Sequence, residues 1–497
     1  MPRLFTSLIA LFALLAPAMA AERPNILLCV ADDWGWPHAG AYGDRVVKTP
    51  AFDRLAREGV LFEHAFVSAP SCTPSRNAML TGQQFYRLDQ GANLQATLDV
   101  KHPNFMRLLE RAGYRIGHWR KVWGPGVFEA GGYEQHPAGP GMSFEEFLKK
   151  RAKDEPFCFW FGTSDPHRPY KTGSGAAAGI ELSAIRVPAF LPDNEVTRSD
   201  IADYYFEVQR WDSDVAKAIE LLEAAGELEN TIIVMTSDNG MPFPRCKGSL
   251  YDWGSRAPLA IRWGMGIEAP GRRIDAFVSL TELAPTFLAA GGVAVPEVMT
   301  EQSLLPLLQN ERGANHAPER AFAVTGRERH AAAQEMPSLA GYPSRAIRTE
   351  RYLFIMNLEP QRWPHGVPQN ATHPIGEHAD TDDSPTKAFI LAHRDEPEYQ
   401  RYYELCFGRR SAEELYDVQA DADQVNNLAA RPEHHETVQQ LHDRLTAYLR
   451  RTGDPRFTNE PVQFDEHPYR DDRIHRRIKE WREQQQSRNA PADLSRD

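Results

Sequence analysis

The sequence is short of cysteine, short of positive charge and short of long apolar runs. Five cysteines among 497 residues exclude a scaffold built on disulfides. Lys plus Arg number 56 against 68 Asp plus Glu, a formal charge of −12. That balance excludes a nucleic-acid binder, which needs a basic face, and it requires any anion site to be a local island of positive charge. The one marked apolar run, Leu4 to Ala16 behind Arg3, falls short of the roughly 20 residues of a spanning helix. No membrane span is therefore expected. Followed by Ala18-Met19-Ala20, this run has the make-up of a cleaved signal peptide over residues 1–20, and a periplasmic or secreted protein is expected. Apolar residues at 42% and charged residues at 25% are ordinary for a globular chain, and the length allows two or three domains. No internal repeat is visible.

What is present is a series of short continuous apolar segments, each ending in a polar cluster. Asn25 to Ala31 runs into Asp32-Asp33-Trp34-Gly35. Phe157 to Phe161 runs into Asp165-Pro166-His167-Arg168-Pro169-Tyr170, and Thr231 to Thr236 into Ser237-Asp238-Asn239-Gly240. Such segments read as buried parallel strands. Val60 to Phe66 and Pro258 to Trp263 add two more. Helical patterns lie between them, from Thr49-Pro50 to Glu58, from Asn104 to Ala112, and from Asp200 to Ala225 with its apolar stripe facing a core. Alternating strands and helices predict a doubly wound, mostly parallel α/β domain over residues 21–335, with its site along the carboxyl edge of the strands. From Arg345 the pattern changes to short paired strands and one helix near His434 to Arg451. A smaller α+β domain is expected over 336–460. Residues from about Pro360 to Glu396 read as a long loop bordering the entrance, and 461–497 as a surface tail without an apolar core.

The stretch Pro70-Ser71-Cys72-Thr73-Pro74-Ser75-Arg76 is the most specific signal. Pro74 suits the first position of a helix, which leaves Cys72 just outside an N-terminus that favours an anion. Arg76 can fork onto the same anion. Taken singly, Cys72 reads as a buried thiol, His167 as a surface histidine, and Lys121 and Lys247 as solvated lysines. Asp32, Asp33, Asp238 and Asn239 together supply only hard oxygen ligands, which favours Ca²⁺ or Mg²⁺ over zinc. Cys29 and Cys158 read as reduced core thiols. Whether Cys246 and Cys406 pair is not decided by the sequence.

These motifs resemble those of the type I sulfatases. The resemblance covers Asn25 to about Ala429, and within the family Ser237 to Pro244, Asp165 to Arg168, Tyr342 to Arg345 and Glu414 to Asp417 look most like the heparan N-sulfatase (sulfamidase) branch. It implies an alkaline-phosphatase-like fold and a Cys72 oxidised to formylglycine by a separate formylglycine-generating enzyme. It also implies a bound Ca²⁺, ahead of Mg²⁺, contacted by Asp32, Asp33, residue 72, Asp238 and Asn239. Cys72, Arg76, Lys121, His167 and Lys247 would be catalytic, the hydrated aldehyde attacking sulfur and His167, with Lys247 beside it, protonating the departing sugar oxygen or nitrogen. The pattern departs from the family at Trp123 and Gly124, where a histidine is expected; His118, His136 or water are the candidate replacements. His136, Arg168, Trp253 and Arg256 are candidate sugar contacts. The implied partner is a sulfated oligosaccharide or polysaccharide, N- or O-sulfated. Two alternatives stand beside this expectation: a phosphoryl-transfer hydrolase of the alkaline phosphatase superfamily, and a catalytically silent glycan-binding relative.

Overall fold

The computed structural model describes residues 23–336, 338–368 and 375–489; the expected signal peptide lies outside them. Seven strands form the main sheet: β1 (Asn25–Ala31), β2 (Val60–Phe66), β3 (Arg115–Trp119), β4 (Phe157–Gly162), β5 (Thr231–Ser237), β6 (Leu259–Arg262) and β7 (Arg272–Ser279). Their order is β3-β4-β1-β5-β6-β2-β7. β1 lies at the centre, parallel to β4 on one side and β5 on the other, with Ile26 opposite Cys158 and Ile232. Every residue of β1 is buried, so it needs apolar side chains on both faces, and its continuous apolar sequence supplies them.

The two faces of β1 feed two cores. Leu27, Cys29 and Ala31 join the cluster under the long helix Glu195–Ala225, with Ile201, Val208, Trp211 and Val215. Ile26, Leu28 and Val30 join the cluster under Phe105–Arg111 and Leu283–Ala290. This alternation is the two-residue period of a strand. The expected mostly parallel sheet is present with one reversal, because β6 runs antiparallel to both β5 and β2. No long crossover helix joins β5 to β6, only the four-residue turn of helix Asp252–Ser255. Without such a crossover the chain returns antiparallel.

The smaller sheet contains β8 (Phe322–Arg327), β9 (Ser344–Thr349), β10 (Tyr352–Asn357) and β11 (Glu413–Asp417) in the order β11-β10-β9-β8, antiparallel throughout. The helix His435–Arg451 packs on it through Val438, Leu441, Leu445 and Leu449. Strand β8 already lies ahead of residue 336. The segment expected to be a long loop contains a helix, Pro385–Ala392, capped by Ser384 Oγ. The tail is also more than a surface extension. Phe464 and Tyr469 are buried, Asn93 Nδ2 donates to the Phe464 carbonyl at 2.8 Å, and Arg470 N donates to the Gln95 carbonyl at 2.6 Å. Charge-rich sequence hid these few anchoring contacts. All five cysteines are free, Cys246 and Cys406 included. Among the described residues no helix is long and apolar enough to cross a membrane.

Two glycines let the polar loops lie tightly over the strand ends. A Cβ on Gly162 would come 1.8 Å from the Lys121 carbonyl oxygen, and one on Gly240 would come 1.9 Å from that of Trp253. Gly240→Ala should therefore destabilise the protein by at least about 2 kcal/mol, since backbone must shift. Urea unfolding followed by tryptophan fluorescence checks this, and a change under about 0.5 kcal/mol would contradict the close approach.

Candidate active site

Every polar cluster singled out at a strand end arrives at the same edge of the sheet. Asp32 and Asp33 leave β1, and Asp33 adopts φ 76°, a left-handed conformation that non-glycine residues reach at a cost and hold at functional sites. Asp33 N donates to Asp238 Oδ1 at 3.0 Å, tying the ends of β1 and β5 together. The helix after β2 begins at Cys72 itself, with Ser71 as its N-cap, two residues earlier than the sequence indicated. Pro74 is its third residue, where the missing N–H still has no partner to lose.

Cys72 Sγ lies 3.6 Å from Asp32 Oδ1, 4.0 Å from Asp33 Oδ1 and 3.9 Å from Asn239 Oδ1. Burial pushes the Cys72 thiol well above its usual range, and Asp238 and Asp32 add to that push against Lys121 and Lys247. An unmodified thiol here is protonated and a poor nucleophile. The expected metal ligands do converge, because Asp32, Cys72 and Asp238 place ligand atoms within 4.8 Å of one another. Asp238 is itself pushed up, by burial first and then by Asp32 and Asp33, although Arg76 is beside it. Burial of these carboxyls beside one another is costly, and a divalent ion on the Asp32, Asp33, Asp238 and Asn239 oxygens would offset that cost.

Arg76 does something other than fork onto an anion. It is fully buried and its nitrogens all have partners. Nε donates to Asp238 Oδ2 at 2.7 Å, Nη1 to the Lys121 and Val122 carbonyls, and Nη2 to the Ala31 carbonyl and Asp32 Oδ1. With five donors engaged, it holds the acids and the Lys121 loop in place. Lys121 Nζ reaches both Asp32 oxygens, at 2.5 and 2.7 Å; burial pulls its pKa down, but Asp32, Cys72 and Asp238 together more than reverse this. Lys247 Nζ lies 2.7 Å from Asp33 Oδ2, and against burial its pKa is held well up by Asp33 and Asp382, with Cys72 and Asp32 adding to them. His167 Nδ1 lies 2.6 Å from the Arg168 carbonyl and Nε2 lies 3.7 Å from Asp33 Oδ2.

Asp32, Cys72, Lys121, His167 and Lys247 line one cavity of about 730 Å³. Trp123 stands in its wall, with Nε1 donating to Asn77 Oδ1 at 2.6 Å, so the position of the absent histidine is filled by packing. The candidate replacements lie elsewhere. His118 and His136 stack on each other at 3.9 Å, and neither is among the cavity residues. The sugar-contact candidates fare little better, since their polar groups are engaged inside the protein. Trp253 is buried with Nε1 donating to Asp423 Oδ1, and Arg256 lies over the Trp36 ring and bonds the Glu63 carbonyl. Arg168 reaches the cavity wall, but its nitrogens are held by Asp200 at 2.7 and 2.9 Å and by the Pro242 carbonyl.

Sequence reasoning missed the far wall. It contains Asp165, Glu207 and Arg210, His330 after β8, Asp382 ahead of Pro385–Ala392, and Tyr469, Asp471 and Arg473 of the tail. His330 Nδ1 lies 2.7 Å from Ser71 Oγ, and burial pushes its pKa down to about 3. A histidine following a strand's carboxyl end was the available signal; the tail carried none.

An α/β sheet with a sulfur, three acids and two lysines at its carboxyl edge defines a hydrolase of the alkaline-phosphatase-like type. The chain belongs to the sulfatase family, whose sequence pattern matches residues 24–293, and is a sulfuric ester hydrolase. A second pattern, N-sulphoglucosamine sulphohydrolase, C-terminal, matches residues 246–363. The chain is 29% identical to human N-sulphoglucosamine sulphohydrolase, over 89% of this chain and 93% of the human protein. It is 27% identical to an ulvan-active sulfatase of Formosa agariphila, over 87% of this chain and 81% of that protein. Among solved structures it is similar to one in complex with its substrate D-glucosamine-2-N,6-O-disulfate, with a TM-score of 0.62 and 21% identity over 87% of this chain and 98% of the other. A phosphonate monoester hydrolase of Agrobacterium radiobacter shares the fold at a TM-score of 0.59 and 16% identity, over 86% and 96% of the two chains.

The engaged donors of Arg76 separate it from Lys121. Arg76→Met should cost about 3–5 kcal/mol of stability by leaving buried carboxylates unpaired. Lys121→Met, at a side chain 21% exposed, should cost less than half of that. Equal losses in parallel denaturant unfolding would contradict the assignment of Arg76 to holding the acids.

Proposed function

We propose that the protein is an exported sulfatase that removes sulfate from a sulfated carbohydrate through a formylglycine formed at Cys72 and a Ca²⁺ held by Asp32, Asp33, Asp238, Asn239 and residue 72. The observation that supports this most directly is the single cavity joining Cys72 to Asp32, Lys121, His167 and Lys247. When present, formylglycine supplies an oxygen nucleophile in place of the neutral thiol, and Ca²⁺ supplies charge for the sulfuryl oxygens.

The chain's own groups do the rest. Lys121 and Lys247 enter from opposite loops and offer Nζ–H donors to the sulfuryl oxygens. Arg76 keeps Asp32 and Asp238 apart at fixed distances. The Arg168 carbonyl accepts from His167 Nδ1–H, which turns Nε2 towards the cavity, where it can protonate the leaving atom. His330, neutral because of burial, takes the second proton-handling role in place of the histidine displaced by Trp123. The names of the human and Formosa relatives support a sulfated glycan as substrate, and that of the human protein favours an N-sulfated glucosamine end.

The phosphonate monoester hydrolase on the same fold keeps a phosphoryl reading in view, and comparison of sulfate with phosphate release from matched aryl esters separates the two. Mass spectrometry of the residue 72 peptide should show an aldehyde; an unmodified thiol in a protein that turns over sulfate would overturn the nucleophile. Cys72→Ala should abolish sulfate release while circular dichroism stays unchanged. Chelation should remove activity, with Ca²⁺ restoring it better than Mg²⁺. His330→Ala should lower kcat by about 10²-fold or more, whereas His118→Ala should stay within a few-fold of the parent; the reverse order would return the role to the stacked pair.

A further inference from the structure

Of the wall carboxylates that the chemistry above leaves unused, Asp382 stands beside Lys247. Asp382 Oδ2 lies 3.2 Å from Lys247 Nζ and is shut off from solvent, yet 27% of the side chain is open. The side chain therefore meets the cavity with the rest of its surface. Ligand atoms of Asp33, His167 and Asp382 lie within 4.8 Å of one another. An atom leaving sulfur must come within hydrogen-bond reach of the His167 ring nitrogen. A point about 3 Å from that nitrogen can also lie about 3 Å from the Asp382 carboxylate.

An ionised carboxylate accepts hydrogen bonds and donates none. A sulfamate nitrogen carries one hydrogen to offer it. An ester oxygen in the same place presents only lone pairs, which the carboxylate repels. We propose that Asp382 reads the leaving atom, accepting the N–H of an N-sulfated amino sugar and disfavouring the O-sulfated counterpart. This rests on the sulfatase reading above and deepens it. As the S–N bond breaks, its electron pair stays on nitrogen, which takes a proton from His167 Nε2. The amine gains a further proton from solvent and leaves as an ammonium paired with Asp382. Overall, R–NH–SO₃⁻ and water give R–NH₃⁺ and SO₄²⁻.

The test compares kcat/KM of the mature, metal-loaded enzyme for glucosamine 2-N-sulfate and glucose 2-O-sulfate, with and without Asp382→Asn. The parent should favour the N-sulfate by about 100-fold or more, as a site built around a substrate N–H rejects the analogue lacking it. Asp382→Asn should shrink that ratio at least tenfold. Equal losses on both substrates would mean that Asp382 merely steadies Lys247, and would overturn the proposal. So would a parent that favours the O-sulfate or hydrolyses neither sugar. Sulfate release from nitrophenyl sulfate reports separately on the sulfatase reading. Should the variant fail to fold, product inhibition of the parent decides: glucosamine should inhibit at least tenfold more tightly than glucose, and equal inhibition would overturn the proposal.

Discussion

The structure depends on burying three carboxylates side by side at one edge of the sheet. Asp32, Asp33 and Asp238 are all nearly or fully buried, and unpaired carboxylates there would be prohibitively costly. Their compensation comes from groups far apart in the chain: Arg76 from the helix after β2, Lys121 from the loop after β3, and Lys247 from the loop after β5. Each cation crosses to an acid on a different strand. The network therefore fastens the carboxyl edge of the sheet together as it builds the site, and the backbone accommodates it with a left-handed Asp33 and with two glycines where carbonyls press close.

The second sheet and the tail complete the cavity rather than standing apart from it. His330 follows β8, Asp382 precedes the helix that docks on Asp200, and the tail lays Tyr469 and Asp471 along the opening. Arg345, fully buried between Glu328 and Asp454, fixes the segment after β8 to the end of the helix His435–Arg451. The cluster around Cys72 is thus supplied by the first sheet, and much of the far wall of the cavity by the later part of the chain. That division suits a fold whose sheet edge performs one reaction while loops choose the substrate.

Most of the reacting cluster was legible because it is local. Asp32-Asp33, Cys72 to Arg76, His167 and Asp238-Asn239 each follow an apolar strand or open a helix, and strand ends of an open α/β sheet meet at one edge. Arg76 was legible as part of the cluster but not in its role, since a motif does not show that its donors are already engaged by backbone carbonyls. His118 and His136 were misleading for a related reason. Both lie on or near the chain that carries Lys121, but strand β3 points His118 away from the edge and towards Gly139.

The sequence by itself determined the order of strands and helices, the residues at the strand ends and the sulfatase family, because each is written in runs of a few neighbouring residues. The tertiary structure alone decided that His330 joins His167 in the cavity, that Trp253 and Arg256 are internal packing groups, and that the charged tail borders the opening. Those facts depend on contacts between residues hundreds of positions apart, and a short-range pattern has no means of recording which buried group a distant side chain will meet.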